Sequence, residues 1–262
     1  MSGAPNFGLA HASYRAFRPP YPAAIYDRIR RELEPPYALA VDIGAGTGLV
    51  AAELCDRFAR VIAVEPDPAM VAHLHEVAPA AQIQRVSAEQ AKLNDASVDL
   101  VSCANALYWM DGPAVVAAVA RWLRPGGVFA AWRYLFPRTP PSIEAVFNEE
   151  IERRWGQHRD PRVTETGVTR RWIDEQLGLT CFADLRVPNL IAMTPAQMVG
   201  FAASTSFGAA YLRTLAEPDA ARYLAELEAK LAAKLAADIQ GPKPTAEVDF
   251  ELTLVLARAV DR

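Results

Sequence analysis

Apolar positions follow two patterns in the first half of the chain. Short apolar runs predict β-strands, and segments with apolar residues three to four positions apart predict α-helices. The predicted strands span residues 39–43, 60–64, 82–86, 98–103 and 127–133, and the predicted helices span residues 47–58, 67–77 and 113–123. Strands that alternate with helices through short loops are typical of a parallel sheet covered on both faces. The pattern therefore predicts an α/β fold.

The second half of the chain has a different pattern. It predicts two helices, at residues 142–155 and 218–239. Residues 185–192 predict a strand that Pro188 interrupts, which indicates a sheet edge or a bulge. Residues 248–256 alternate apolar and polar positions and predict a final strand that pairs with the main sheet. We expect this half to form a helical cap and to complete the sheet, without an independent domain.

Composition and charge narrow the classes of function. The 262 residues are 52% hydrophobic, which excludes global disorder, and a net charge of −4 without a basic run argues against a nucleic-acid partner. The three cysteines, Cys55, Cys103 and Cys181, are widely spaced, which excludes a disulfide framework and a cysteine zinc site. The sequence shows neither a signal peptide nor a bilayer-length apolar run. We therefore expect a cytoplasmic protein without a metal or a membrane partner.

A glycine-rich segment, VDIGAGTG at residues 41–48, follows the first predicted strand and opens a helix. Glycines there let the backbone approach a ligand, and the helix N-terminus offers N–H groups. A dinucleotide fingerprint needs glycines at the first, third and sixth positions, whereas here they are first, third and fifth, with Leu49 sixth. Asp42 would repel a pyrophosphate but suits a positively charged group such as an amino-acid ammonium.

Two further segments follow the next predicted strands. Glu65 ends the second strand, where a carboxylate accepts both hydroxyls of a ribose in NAD-type and adenosine-type sites alike. Ser87, Ala88 and Glu89 follow the third strand, where they would meet an adenine amino group. The residues alone leave both kinds of nucleoside ligand open.

The ordered segments resemble the motifs of class I S-adenosylmethionine-dependent methyltransferases with a type 11 methyltransferase domain. They are VDIGAGTG at 41–48, VIAVEPDPAM at 61–70, SAEQAKL at 87–93, VDLVSCANALYWMD at 98–111 and LRPGG at 123–127. The core resemblance covers residues 14–134. SYRAFRPPYP at 13–22 and VGFAASTSFGAAY at 199–211 are similar, more loosely, to segments of the trans-aconitate methyltransferase-like branch.

The resemblance implies a Rossmann-like fold and S-adenosyl-L-methionine as the cofactor. The sheet would have seven mostly parallel strands, an antiparallel last strand, helices on both faces and a helical cap. The whole chain would form a single methyltransferase domain. Its parts would be N-terminal lid helices at 1–36, the cofactor-binding core at 37–136, the cap and sheet completion at 137–247, and the last strand at 248–262.

The resemblance also implies roles for single residues. Asp42 and the loop glycines would hold the methionine end, Glu65 the ribose, and Ala88 with Glu89 the adenine. Asn105 would lie near the methionine or the methyl group, and Arg18 would pair with the methionine carboxylate from the lid. The expected cofactor-binding residues are Tyr14, Arg18, Asp42, Gly44, Ala45, Gly46, Gly48, Glu65, Pro66, Ala88, Glu89 and Asn105. Tyr14, and after it Tyr108 and Trp109, are candidates to face the sulfonium, since aromatic faces favour cations.

The acceptor site is less well defined by the sequence. Its expected residues are Trp109, Arg133, Ser204 and Phe207. Arg133 ends the fifth strand, and we hypothesise that it meets a polar or anionic acceptor. The family often shows His-Trp-Phe-Asp where this chain has Tyr-Trp-Met-Asp at residues 108–111, so a role carried by that histidine is in doubt. Tyr108 and His158 are candidate bases, and nothing in the sequence selects either one.

These observations favour methyl transfer to a small organic molecule by direct displacement. The alternatives are a protein that binds S-adenosylmethionine without methyl transfer, as a sensor or a cyclisation catalyst, and an NAD-dependent oxidoreductase. The Asn-Pro-Pro-Tyr motif of amino-methylating DNA enzymes is absent after the fourth strand, where CANALYW stands at residues 103–109. The protein would be a monomer or a homodimer. The sequence leaves the acceptor and the methylated atom open.

Overall fold

The computed structural model describes residues 17–134, 136–238 and 245–260, which belong to two compact units. The sheet unit comprises Pro20–Tyr134, Glu165–Val187 and Leu252–Arg262. The helical unit comprises Met1–Pro19, Leu135–Thr164 and Pro188–Glu251. Tyr14, a predicted cofactor residue, lies outside the described residues.

The described strands and helices follow one another along the whole chain. The strands are β1 Leu39–Ile43, β2 Arg60–Val64, β3 Gln82–Gln84, β4 Val98–Ala104, β5 Leu123–Tyr134, β6 Leu179–Val187, β7 Leu190–Met193, β8 Ala246–Asp249 and β9 Leu252–Ala259. The α-helices are α1 Ala23–Arg30, α2 Leu49–Cys55, α3 Pro68–Val77, α4 Gly112–Trp122, α5 Pro141–Phe147, α6 Pro161–Thr164, α7 Val168–Asp174, α8 Pro195–Ser204, α9 Ser206–Leu212 and α10 Glu217–Asp238. A π-helix at Asn148–Trp155 continues α5.

Seven strands form the sheet of the sheet unit, in the order β3-β2-β1-β4-β5-β9-β6. The pairs from β3 to β5 are parallel, and β9 is antiparallel to both β5 and β6. This arrangement confirms the predicted mostly parallel sheet with an antiparallel last strand. It places the ends of β1, β2 and β4 side by side, where the predicted motif residues follow the strands.

Helices cover both faces of this sheet, as predicted. On one face Ile25 of α1, Leu54 of α2 and Leu74 of α3 join a buried cluster with strand residues. On the other face Val119 of α4 and Ile173 of α7 join a second cluster. Since β1 is buried along its whole length, its apolar run had no alternation to show.

The structure corrects several predicted boundaries. The helix predicted at 47–58 begins only at Leu49, because Gly48 has a φ of 92° and belongs to the loop. The strand predicted at 82–86 ends at Gln84. The helix predicted at 142–155 changes to π-helical hydrogen bonding from Asn148 onward. Pro188 separates two strands, β6 and β7, since a proline lacks the N–H that a ladder needs.

The final strand predicted at 248–256 is in fact two strands in two sheets. β8 pairs with β7 in the helical unit, and β9 pairs with β5 and β6 in the sheet unit. Between them the Phe250 N–H donates to the Asn189 carbonyl at 2.9 Å. Val248, Phe250 and Leu252 are all buried, so the alternation of apolar residues continues from β8 into β9. It therefore gives no sign that one strand ends and another begins.

The helical unit contains α5, α8, α9 and α10, the π-helix and the two-stranded sheet β7–β8. Leu227, Leu231 and Leu235 of α10 are buried, as their helical spacing predicts. Phe17 lies against α8, where a Cβ added to Gly200 would lie 2.5 Å from its ring.

Candidate functional site

The three loop glycines are required for different reasons. A Cβ added to Gly44 would lie 2.5 Å from the Ala106 Cβ, and one added to Gly48 would lie 2.7 Å from Leu74 Cδ1. Gly46 has a φ of +55°, and nothing lies within 4 Å of the position of an added Cβ. Packing against Ala106 therefore excludes a side chain at Gly44, and a φ of +92° disfavours one at Gly48, whereas Gly46 presents bare backbone to open space. That is the position at which a ligand can approach the main chain.

The first N–H groups of the loop already have partners within the protein. The N–H groups of Gly44 and Ala45 donate to the Val64 carbonyl, at 2.9 and 3.1 Å. The Gly46 N–H donates to Glu65 Oε2 at 2.8 Å. A pyrophosphate at such a loop is held by N–H groups that point at it. The loop is therefore poorly suited to bind a dinucleotide, which is the alternative ligand that the glycine spacing also disfavours.

Asp42 is a nearly completely buried carboxyl group beside this loop, with 1% of its surface exposed. Ser102 Oγ donates to its Oδ1 at 2.7 Å. Among the described residues, no donor lies at hydrogen-bonding geometry to Oδ2. Burial above all, with the nearby charge of Glu65, raises the pKa of Asp42 to about 7, although Ser102 and the Ala51 N–H act in the opposite direction. Asp42 is thus an acceptor that the described protein only half satisfies.

Glu65 is the second buried carboxyl group at this end of the sheet, with 8% of its surface exposed. Its Oε2 accepts from the Gly46 N–H, and its Oε1 accepts from the Asp67 N–H at 3.0 Å. Burial raises its pKa, and these two hydrogen bonds oppose the effect. A carboxylate has about four acceptor positions. Two therefore remain, which matches the two hydroxyl groups of a ribose.

The segment predicted to meet adenine lies after β3. Ala88 is buried, whereas Pro66 is exposed. Glu89 Oε1 accepts from the Asp111 N–H at 2.9 Å. Burial raises the pKa of Glu89, but hydrogen bonds from Ser87 and Asp111 outweigh it and lower the pKa overall. Glu89 is therefore ionised and ties this segment to the start of α4.

Asn105 follows β4 with a φ of +51°, a left-handed conformation that asparagine tolerates better than most residues. Its side-chain Oδ1 accepts from the Tyr134 N–H at 3.2 Å, and its Nδ2 donates to the Tyr21 hydroxyl at 2.8 Å. The Tyr21 ring packs edge-on against Trp132. The side chain of Asn105 is therefore fixed by residues of the sheet unit. The next residue, Ala106, lies against Gly44 of the glycine loop.

Two of the predicted acceptor residues, Trp109 and Arg133, lie together with the candidate base Tyr108 in the sheet unit. The guanidinium of Arg133 lies 4.6 Å from the ring centroid of Tyr108, and its Nη1 donates to the Glu165 carbonyl at 3.0 Å. The rings of Tyr108 and Trp109 are 5.2 Å apart. Burial lowers the pKa of Arg133, while the nearby Tyr108 raises it. A half-buried cation thus lies on an aromatic surface at the end of β5.

The remaining predicted site residues lie in the helical unit. Arg18 Nη2 donates to the Ser204 carbonyl at 3.1 Å, and its guanidinium lies 5.5 Å from the Phe201 ring. Ser204 Oγ donates to the Phe201 carbonyl at 2.7 Å and is buried. The polar group expected at Ser204 is therefore already used inside its own helix.

Phe207 and His158 take part in aromatic clusters of the helical unit. Phe207 is buried, and the guanidinium of Arg159 lies 4.4 Å from its ring centroid. The His158 ring lies 5.8 Å from the ring of Tyr211. Neither contact selects His158 as a base.

Sequence reasoning missed two residues of this site, Ser102 and Tyr21. Ser102 lies inside the apolar run of β4, directly beside Asp42 in the sheet register. Its hydroxyl at a fully buried strand position was the available signal. Tyr21 lies within the SYRAFRPPYP segment, but nothing local to that segment indicates a bond to Asn105.

Two absences concern only the described part of the chain. Within it, no group of three or more His, Cys, Asp or Glu side chains is placed to hold a metal ion. Its helices also include none with the length and apolar character that crossing a membrane requires.

Comparisons with known proteins agree with this geometry. Residues 41–131 match the type 11 family described as a methyltransferase domain. An uncharacterized methyltransferase from Mycobacterium tuberculosis is 38% identical over 122 residues, which are 47% of this chain and 49% of that protein. A trans-aconitate 2-methyltransferase from Deinococcus radiodurans is 39% identical over 102 residues, 37% of this chain and 38% of that enzyme. The chain thus spans about half the length of such curated relatives, or less.

One solved structure matches nearly the whole chain. It comes from Anaeromyxobacter dehalogenans, was named provisionally as a type II methyltransferase, and is 25% identical. The TM-score is 0.73, and the match covers 94% of this chain and 100% of that chain. The resemblance in motif order and the predicted cofactor, S-adenosyl-L-methionine, are therefore confirmed at the level of the family. Residues 41–131 are therefore similar to the type 11 methyltransferase domain, and nearly the whole chain shares the fold of the Anaeromyxobacter dehalogenans protein.

Proposed function

We propose that the protein transfers a methyl group from S-adenosyl-L-methionine to a small organic molecule by direct displacement. The observation that carries this proposal is the half-satisfied carboxyl group of Asp42. It is buried near the end of β1, and the loop that follows β1 contains Gly46, whose backbone faces open space. A buried acceptor without a full set of partners is costly unless a ligand completes it. An ammonium group supplies the donor and the charge that Asp42 lacks.

The residues around this carboxyl group fit the rest of the cofactor. Glu65 has two acceptor positions left for the ribose hydroxyls, and Ala88 with Glu89 would border the adenine. Asn105 would border the methionine or the methyl group. When bound, the cofactor supplies a sulfonium methyl that is already electrophilic. The task of the protein is therefore to hold the acceptor in line and to exclude water.

The aromatic and cationic surface at the end of β5 would bind the acceptor. Arg133 would pair with a polar or anionic group, and Tyr108 and Trp109 would supply apolar contact area. The trans-aconitate 2-methyltransferase relative is named for an anionic acceptor, which makes carboxylic acids the first compounds to test. Arg18, Ser204 and Phe207 stay predictions for the cofactor and acceptor sites, as does Tyr14.

Binding and transfer can be tested separately on the full chain. Calorimetric titration with S-adenosylhomocysteine should show binding, whereas NAD should show none. The protein is then incubated with methyl-labelled S-adenosylmethionine and a panel of small acids, phenols and amines that includes trans-aconitate. Label in an organic product supports transfer. Cofactor binding without product across the panel would favour a binding protein instead, and binding of NAD alone would overturn the proposal.

A further inference from the structure

Ser102 is a fully buried hydroxyl in the middle of the apolar strand β4. The sheet register places it directly beside Asp42 of β1. Its Oγ lies 2.7 Å from Asp42 Oδ1 and 3.4 Å from the Val41 carbonyl oxygen. The longer contact is at the limit of a hydrogen bond, so the single hydroxyl proton belongs to Asp42. A buried hydroxyl costs stability unless it is hydrogen-bonded, and here its partner is the Asp42 carboxyl group.

The surroundings of Asp42 make this one hydrogen bond important. Glu65 faces it from the end of β2, Tyr26 from α1, and Cys103 is its neighbour on β4. Burial above all, and then the negative charge of Asp42, raise the pKa of both Tyr26 and Cys103, so each of these groups is close enough to Asp42 to act on it. All three are neutral or negatively charged. The groups that favour the ionised form of Asp42 are Ser102 and the Ala51 N–H.

We propose that Ser102 is a positioning residue of the cofactor site, whose hydroxyl fixes Asp42 Oδ1 and so leaves Oδ2 to accept the ammonium group of the ligand. This inference rests on the proposed function. The Ser102 hydroxyl would then donate to Oδ1 and the ligand's ammonium group to Oδ2, so that each oxygen of the carboxylate has a donor.

The arrangement links cofactor binding to a proton. Below the pKa of Asp42, which is about 7 in the ligand-free protein, the carboxyl group must lose a proton before it can pair with an ammonium group. Affinity should therefore fall as the pH falls from 7.5 toward 5.5, approaching a tenfold loss per pH unit. Without the Ser102 hydroxyl, the ionised form of Asp42 loses a charge-assisted bond, and the pKa rises by about one unit.

The experiment compares the wild type with Ser102→Ala, Ser102→Thr and Cys103→Ala. Thr keeps the hydroxyl, and Cys103→Ala removes one heavy atom from the adjacent buried position of the same strand. Carbon-13 NMR of the Asp42 carboxyl group follows its titration in the ligand-free protein. Calorimetry then measures S-adenosylhomocysteine binding from pH 5.5 to 7.5.

We expect Ser102→Ala to raise the titration midpoint of Asp42 by about one pH unit and to weaken binding at pH 7 about fivefold. Ser102→Thr should restore both values, and Cys103→Ala should change neither. An unchanged midpoint and affinity in Ser102→Ala would overturn the inference. If Ser102→Ala fails to fold, a wild-type affinity that is flat across this pH range overturns it equally. A shifted midpoint in a protein that binds no S-adenosylhomocysteine would refute the proposed function and leave the link between Ser102 and Asp42 standing.

Discussion

Two carboxyl groups, one in each unit, are almost completely buried but have opposite surroundings. Asp42 of the sheet unit has one hydroxyl donor, and burial raises its pKa to about 7. Glu150 of the helical unit, with 5% of its surface exposed, is surrounded by donors. Lys230 Nζ lies 3.0 Å from its Oε1, and both the Tyr223 hydroxyl and Arg154 Nη1 reach its Oε2, at 2.9 and 3.0 Å.

The network around Glu150 extends one step further. Trp155 Nε1 donates to the Tyr223 hydroxyl at 2.9 Å, so an indole, a phenol and a carboxylate form one chain of hydrogen bonds. Burial raises the pKa of Glu150, but Lys230, Tyr223 and Arg154 outweigh it and lower the pKa overall. This chain fastens the π-helix to α10, because Glu150 and Trp155 belong to the first and Tyr223 and Lys230 to the second.

The difference separates a structural carboxylate from one that awaits a ligand. A buried charge with a full set of partners holds elements together, and removing it costs stability. A buried carboxyl group with an open oxygen lowers stability in its ionised form, and the fold keeps it only if something outside the chain completes it.

Asp42→Asn should stabilise the ligand-free protein at pH 8 by about 4 kcal/mol. The pKa of Asp42 is raised by folding, from 3.8 to about 7, so the wild type loses stability as the pH rises through that interval. The variant lacks this loss, and its advantage should grow from pH 4 to pH 7 and then stay constant. Chemical denaturation at several pH values measures it. A variant less stable than the wild type at pH 8 would contradict the account.

Glu150→Gln should lower the free energy of unfolding at pH 7 by about 2 kcal/mol, because charged donors lose their charged acceptor. Since folding lowers the pKa of Glu150, the loss should shrink as the pH falls below its ordinary value of 4.5. Glu149→Gln is the matched control, because Glu149 is an exposed neighbour whose pair with Arg153 should be worth at most about 0.5 kcal/mol. Equal losses in the two variants would mean that burial of Glu150 is unimportant.

Gly46→Ala should cost about 1 kcal/mol of stability, since a left-handed backbone disfavours a Cβ, and should weaken S-adenosylhomocysteine binding about tenfold. Gly167 is a matched control with a φ of +74° and equally open surroundings at the start of α7. Gly167→Ala should cost the same stability and leave binding unchanged. Thermal unfolding and calorimetry distinguish the two. Unimpaired binding in Gly46→Ala would show that the ligand does not approach the backbone at Gly46.

Arg133→Ala should raise the KM for an anionic acceptor about three- to tenfold, while kcat changes less, because the lost contact binds ground state and transition state alike. Arg121→Ala, which removes an exposed arginine paired with Asp95, is the control. Steady-state kinetics with the best acceptor from the panel gives both constants. A KM equal to that of the wild type would show that Arg133 does not bind the acceptor.

The sheet could be predicted closely from the sequence because its strands are continuous apolar runs. β1 and β2 have the predicted limits, since turn residues and charges bound both runs. The second half was harder to predict. The alternation of Val248, Phe250 and Leu252 predicts that these residues are buried, but it does not predict which sheet each belongs to. The change from one sheet to the other therefore cannot be read from the local sequence.

The candidate site divides in a similar way. Asp42, Gly46 and Glu65 could be predicted because Asp42 and Gly46 belong to the short segment in which β1 ends and the glycine loop begins, and Glu65 directly follows β2. Ser102 could not, because its importance depends on a register between strands 60 residues apart. Ser204 was expected as a polar point of the acceptor site, but the sequence does not show that its hydroxyl bonds within its own helix. Hydrogen-bond partners distant in sequence are the information that a local pattern lacks.

A ligand is expected to supply the donor that Asp42 lacks, whereas the protein itself supplies the donors around Glu150. Calorimetric titration of S-adenosylhomocysteine into wild type, Asp42→Asn and Glu150→Gln at pH 7.5 tests it most directly. We expect Asp42→Asn to weaken binding at least about thirtyfold, the value of one charge-assisted bond, and Glu150→Gln to stay within about twofold of the wild type. Wild-type affinity in Asp42→Asn, or an equal loss in both variants, would contradict it.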